Sequence, residues 1–465
     1  MKRRLLGIFF AGSCLVGAGI LFAQDTVASK IDVFGKVSIV EGQFVKSSYT
    51  HLVNGSSSSG YTREIMPYRP WLNNEYLQMG LKAALNSHFS AIVSPQIKLW
   101  NDTWDWTTMG QNGSASNPFT QHMTASLADA EGIISYGNED VLAFNAMIGV
   151  MPFKYNQDAK NLGEYLFRTG VHPAYIQTSF DNAFATVTGL RLNGEFLNKF
   201  SLDFLFTQET QVMPLNDWSI SFLAGYKAPG LLDMGIGFQC DRLIKAAGEL
   251  DHPATRSVYY TSSGNLDTLE WGGTKGMAHI TFDPKGLLPS GIVDKMGKED
   301  GKIYAEAAIL GLKSFTAYKR VVASGDTSYV VDDTLNFYSD IKQRIPIMVG
   351  FNVPVFKLLD YLSIEVEWYN WPYSPSLYDY QNLVTTLARP IIPKINGTGT
   401  LYTKDDAWKY SINARKTIYG HFSIIGQIAN DHTRHDAYYS SFADPEEVFL
   451  KKDQWGWWLK LQYSL

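Results

Sequence analysis

Cysteine is almost missing: Cys14 and Cys240 are the only two in 465 residues. Two thiols cannot make a disulfide scaffold, and without a CxxC or a Cys/His cluster nothing points to zinc. Charge is sparse too, at 18%, and a formal net of −5 excludes a general electrostatic grip on nucleic acid. After Ala23 no apolar stretch approaches the roughly 20 residues that a membrane-spanning helix needs. The mean hydropathy of −0.13 likewise excludes a bundle of membrane helices. Neither GxSxG nor HExxH occurs, which removes two common hydrolase signatures. Gly235 and Gly237 form no phosphate loop, because no helix follows them.

Aromatic residues, by contrast, are abundant: 26 Tyr, 26 Phe and 12 Trp, with 45% of the chain hydrophobic. A chain so apolar is not disordered. Residues 1–23 carry Lys2, Arg3 and Arg4 ahead of an uncharged apolar run that ends at Ala23, before polar Gln24 and Asp25. That is the form of a secretory signal. Its removal leaves 37 basic against 45 acidic residues, a net of −8, and Cys240 as the one remaining thiol.

Period-two alternation recurs along the remainder. Leu77, Met79, Leu81, Ala83 and Leu85 alternate with Tyr76, Gln78, Gly80, Lys82 and Ala84. Phe200, Leu202, Phe204 and Phe206 alternate with Ser201, Asp203, Leu205 and Thr207. Trp218, Ile220 and Phe222 alternate with Ser219, Ser221 and Leu223, and Leu362, Ile364 and Val366 with Ser363, Glu365 and Glu367. One phase is apolar and begins or ends in Trp or Tyr; the other is rich in Gly, Ser and charge. A barrel with a lipid-facing outside and a wet inside has this pattern, though the half-buried sheets of a soluble sandwich alternate as well.

The last segment, WGWWLKLQYSL, puts Trp457, Leu459, Leu461, Tyr463 and Leu465 on one face. It resembles the C-terminal strand of bacterial outer-membrane barrels, the segment their assembly machinery engages, except that Leu465 stands where that family usually has Phe. The resemblance implies an all-β transmembrane antiparallel barrel over 24–465, exported by 1–23 to the outer membrane, with lipid as its surroundings and no cofactor. Loop lengths, short on one side and long on the other, divide the chain into sixteen strands, with eighteen as the alternative. The connection 284–301 is unexpectedly long for the short side, and strands 406–416 and 418–430 are expected to turn at Thr417.

Residues 154–184 then form the third long loop. The stretch GVMPFKYNQDAKNLGEYLFRTG is similar in placement to the third loop of general porins, which folds into the barrel and narrows it. Asn161 is expected to cap a helical turn whose Leu162, Tyr165 and Leu166 face the wall. Lys154, Asp158, Lys160, Glu164 and Arg168 are then the candidate constriction charges, a solvated surface loop being the alternative. The inward phase carries Lys36, Lys82, Lys98, Lys409, Arg415 and Lys460 on one side of the barrel. On the other it carries Asp129, Glu131, Asp203, Asp233, Asp241, Glu306, Glu365 and Glu367. Two such walls would set a transverse field in a narrow pore, or pair as lumenal salt bridges.

The expected function is passive diffusion of small hydrophilic solutes, without enzymatic activity; a homo-trimer is an assembly consistent with the resemblance. A glycan-binding adhesin acting through Trp100, Trp104, Trp106, Trp371, Tyr373, Tyr438 and Tyr439 is the alternative from another class. An outer-membrane hydrolase is the third. His432 and His435, three residues apart, suit a solvated pair better than a metal site.

Overall fold

The computed structural model describes residues 30–46, 50–53, 62–65, 71–102, 121–138, 140–168, 185–208, 216–244, 246, 258–268, 273–312, 316, 318–323, 326–331, 341–369, 407–432, 449 and 451–465. The expected signal segment 1–23, His435, Trp104, Trp106, Trp371, Tyr373, Tyr438 and Tyr439 lie outside these residues, as does the side chain of Trp100.

Sixteen strands close into one antiparallel barrel: β1 (Lys30–Lys46), β2 (Trp71–Ala84), β3 (Phe89–Asp102), β4 (Gln121–Asn138), β5 (Leu142–Phe153), β6 (Ala185–Phe196), β7 (Phe200–Gln208), β8 (Trp218–Ala228), β9 (Leu232–Ile244), β10 (Gly273–Phe282), β11 (Ile303–Ile309), β12 (Ile347–Asn352), β13 (Tyr361–Trp368), β14 (Trp408–Ile418), β15 (Phe422–Asn430) and β16 (Trp455–Ser464). Each strand pairs with its chain neighbours, and β16 closes on β1 with Lys36 opposite Ser464 and Gln43 opposite Trp457. Closure satisfies the backbone of every strand and leaves no edge. The alternative of eighteen strands is thereby corrected. Further pairing occurs outside the barrel: Thr50–Val53 with Thr62–Ile65, and a four-stranded sheet of Val258–Tyr260, Leu266–Thr268, Tyr318–Ala323 and Asp326–Val331 joining two long loops.

The short connections show why the chain reverses where it does. Leu197 and Asn198 both have positive φ, 58° and 50°, the geometry of a two-residue turn that matches strand twist. The β14–β15 turn lies at Tyr419 and Gly420, φ 52° and 74°, two residues beyond the expected Thr417. A β-branched threonine resists positive φ, and Gly420 accepts it. The long connection 284–302 is compact. Asp283 accepts the Lys285 N–H at 3.1 Å to start a 3₁₀ turn, Pro284–Leu287. A short helix, Ser290–Val293, follows. Lys285 Nζ donates to the carbonyls of Lys298 and Asp300, both at 2.9 Å, and the Asp300 carboxylate accepts the N–H groups of Gly297 and Phe356.

Outward positions are large, apolar and uncovered: Ile148 and Ile236 are each 64% exposed. Aromatic rings gather in two clusters on the β6–β8 part of this face. Phe196, Phe200 and Tyr226 lie towards the short connections, and Phe206 stacks on Trp218 (4.4 Å) towards the long ones. Among the described residues, an apolar core lies inside the barrel. Met151, Phe153, Val187, Leu205, Leu223, Met277, Ala308 and Met348 of the wall pack with Ala159, Leu162, Tyr165, Leu166 and Phe167 of the segment that follows β5.

Candidate functional site: a loop seated on buried carboxylates

The segment 154–168 leaves β5 and lies against the inner wall of β9–β14. Apolar side chains supply one part of its seat. Leu162, Leu166 and Phe167 are buried in the inner core, and Leu166 reaches the bare face of Gly237, where a Cβ would stand 3.0 Å from its Cδ2. Each fully buried leucine of this kind contributes on the order of 1.5–3 kcal/mol. Leu205 and Leu223 were apolar interruptions in otherwise polar phases; they are the wall beneath the loop.

Hydrogen bonds to carboxylates supply the rest. Gly163 and Glu164 both take left-handed backbone geometry, φ 87° and 59°. Successive N–H groups in such a stretch converge into an anion-binding concavity. Here the N–H groups of Glu164 and Tyr165 donate to Glu306 at 3.0 and 2.9 Å. Tyr155 Oη (2.6 Å) and Asn156 Nδ2 (2.8 Å) complete the ring around the same carboxylate. Glu365 of β13 accepts the N–H groups of Lys160, Asn161 (2.8 Å) and Leu162 (2.8 Å), and the Tyr304 hydroxyl at 2.8 Å. Glu367 accepts the Tyr165 hydroxyl at 2.6 Å and contacts His432 Nε2 at 2.5 Å. Burial pushes the Tyr155 hydroxyl well above the usual phenol range, helped by the negative charges of Glu306 and Glu164, so it stays a donor.

The tip is held differently. Lys302, at the end of the long connection, contacts Asp158 at 2.7 Å and Glu299 at 3.1 Å, and Lys160 reaches Glu299 at 3.1 Å. Lys160 Nζ also stands 4.9 Å from the centre of the Tyr361 ring. Burial alone would raise the Asp158 and Glu299 carboxyls; bonds and charge from Lys302 and Lys160 outweigh it and hold both below their ordinary values. Burial would lower Lys302, and the two carboxylates more than reverse that, so its ammonium sits above 10.5.

The expected charges are therefore distributed as follows. Glu164 does not face open lumen: it is buried and turned back to the N–H groups of Tyr155 and Asn156. Lys154 donates to the carbonyl of Ala159, and the Arg168 side chain lies outside the described part. Asn161 is not the expected helix cap. The helical turn α1 (Tyr165–Arg168) begins four residues later, the Asn161 amide donates to Ser411 and Asp431, and the Glu164 N–H that such a cap would accept goes to Glu306. On the acidic wall, Asp203 pairs with Arg191 (2.6 Å), Asp241 with Lys275 (3.2 Å) and Asp233 with Lys227 (3.9 Å). Asp129 and Glu131 are half-buried on β4. Glu306 and Glu365, 1% and 0% exposed, face the loop and not a solute path.

On the other wall Lys36 lies 5.1 Å from the Tyr76 ring centre, Lys409 donates to the Phe449 carbonyl, and Arg415 approaches Asp360 (3.9 Å) and Ser423 (3.3 Å). Lys82 is registered opposite Asp32, Lys98 opposite Tyr76, and Lys460 between Val40 and Ile425. Trp457, Leu459, Leu461 and Tyr463 lie in the outward phase of β16, and the Leu465 N–H donates to the Gly35 carbonyl at 2.9 Å. Tyr155, Asn156, Glu299, Lys302 and Tyr304 were not foreseen. Only the abnormal length of 284–301 signalled that part of the site.

No family model and no curated protein matches the chain. Among solved structures, one of Salmonella typhi OmpF in complex with daunomycin is 9% identical, covers 94% of this chain and 98% of its own, and has a TM-score of 0.44. A triple mutant of the Rhodopseudomonas blastica porin is 8% identical, covers 94% and 100%, and has a TM-score of 0.39. The chain itself is a closed sixteen-stranded antiparallel barrel.

Proposed function

We propose that the protein is an outer-membrane channel through which small hydrophilic solutes diffuse, and that residues 154–168 narrow it. The observation that carries this reading is the seating of that segment on inward-facing Glu306 and Glu365 of a barrel whose outer face is apolar. Exposed isoleucine, leucine and phenylalanine, with aromatic clusters towards both ends of β6–β8, are costly in water and favoured in a bilayer. A polar segment lodged inside such a barrel reduces its bore without breaking its wall. Conductance of single refolded molecules in a planar bilayer tests the reading. Stepwise openings are expected, with larger steps after deletion of 158–166. A barrel that never conducts would sink the channel and favour an adhesin working through its outer loops; an unchanged step size would remove the constriction.

A further inference from the structure

The connection 284–302 has two unlike sides. Towards the lumen, Glu299 and Lys302 hold the tip of the seated loop. On its other side, Leu287, Leu288 and Ile292 are 69%, 37% and 48% exposed, although their backbone is fixed by the Asp283 cap, the Lys285 hydrogen bonds and the Gly286 N–H to the Gly230 carbonyl. A fixed backbone that holds three large aliphatic side chains outward is built to meet apolar surroundings. Phe356 and Leu358 of the next short connection extend the patch, tied to it by the Phe356 N–H to Asp300 bond.

We infer that residues 286–292 are an interfacial anchor, which seats Leu287, Leu288 and Ile292 in the phospholipid leaflet at the short-connection end of the barrel. This rests on the membrane reading above. Continuity identifies the occupant. The segment leaves β10 after Phe282 and enters β11 at Ile303, and these two are registered in one outward row with Phe351 and Ile364. The patch is thus the lower margin of the face already assigned to lipid. Lys295 and Lys298 follow it, exposed, where headgroup phosphates would lie. One segment therefore meets lipid on one side and steadies the constriction on the other.

The test places a nitroxide at Leu287→Cys, Leu288→Cys or Ile292→Cys, in a Cys14→Ser/Cys240→Ser background, and reconstitutes each protein in phosphatidylethanolamine–phosphatidylglycerol vesicles. Collision of the label with oxygen, which favours lipid, is compared with collision with a water-soluble nickel chelate. Val349→Cys, on the outer face of β12, is the lipid reference. The expected result is a shift of the oxygen-to-nickel ratio at 287, 288 and 292 towards that of Val349→Cys. A nickel-favoured ratio there, with Val349→Cys still oxygen-favoured, overturns the anchor and leaves the barrel in its membrane. Immobile labels shielded from both reagents overturn it in favour of a protein partner or a second copy. If Val349→Cys is itself nickel-favoured, the membrane reading fails and the anchor with it.

Discussion

The seated loop is held at two places by opposite means. Along 155–165 the wall contributes carboxylates and the loop contributes mostly backbone N–H groups; at the tip, side chains of Asp158 and Lys160 meet side chains of Lys302 and Glu299. The first seat is enclosed and rests on the turn of the loop backbone, with the side chains of Tyr155, Asn156 and Tyr165 adding three donors. The second is near solvent at the end of flexible side chains, and it answers to charge. Enclosed hydrogen bonds to a carboxylate are strong, and costly to leave unmade, whereas ion pairs closer to water are screened and contribute less.

That contrast can be broken from the strong end first. Replacing both Glu306 and Glu365 by leucine would strand several buried N–H donors and should cost about 3–5 kcal/mol or more of loop seating. The proposed channel should then open to a larger and noisier single-molecule conductance; an unaltered step would show that the apolar core alone seats the loop. Gly163→Ala comes next. Its positive φ disfavours a Cβ, which would also stand 2.7 Å from Met348 Cε and 3.0 Å from Glu306 Oε2. A loss of about 1–2 kcal/mol is expected, read as faster proteolysis within 154–168.

At the tip, Lys302→Met should cost less, about 1 kcal/mol, and raise the frequency of conductance fluctuations more than their mean. The same seat carries a pH signature. Because Asp158 and Glu299 lie below their ordinary 3.8 and 4.5, their contribution is complete above those values and is lost as pH falls through the lowered ones. Because Lys302 lies above 10.5, its contribution is complete below that value and is lost only as pH rises further. Fluctuations should therefore be flat between these limits and increase in acid below about pH 4, and Lys302→Met should reduce that increase to what the remaining Lys160–Glu299 pair contributes. The smallest effect is expected from Lys46→Gln, which removes an exposed ion pair with Asp453 far from either seat; conductance should not change.

Much of the barrel was legible because a strand with an apolar outer face and a polar inner one must alternate at every residue, and Phe200 to Thr207 or Leu362 to Glu367 do so without reference to any neighbour. The turn at Tyr419 was misplaced by two residues because alternation carries no mark of which residue accepts positive φ. Glu306, Glu365 and Glu367 were legible as inward carboxylates but not as a seat. A glutamate that lines a wet pore and one that is wrapped by four donors occupy the same phase of the same strand. The inward leucines Leu205 and Leu223 were the visible exceptions, since a lumen of water alone has no use for them.

Local chemistry along the chain thus dictates strands, their two faces and the alternation of short and long connections, because each depends on residues adjacent in sequence. The partnership of Glu164 and Tyr165 with Glu306, about 140 residues away, and of Asp158 with Lys302 exists only after the barrel closes. Closure brings β5, β11 and β13 to one interior, and there the backbone donors of a loop find carboxylates that no local pattern assigns to them.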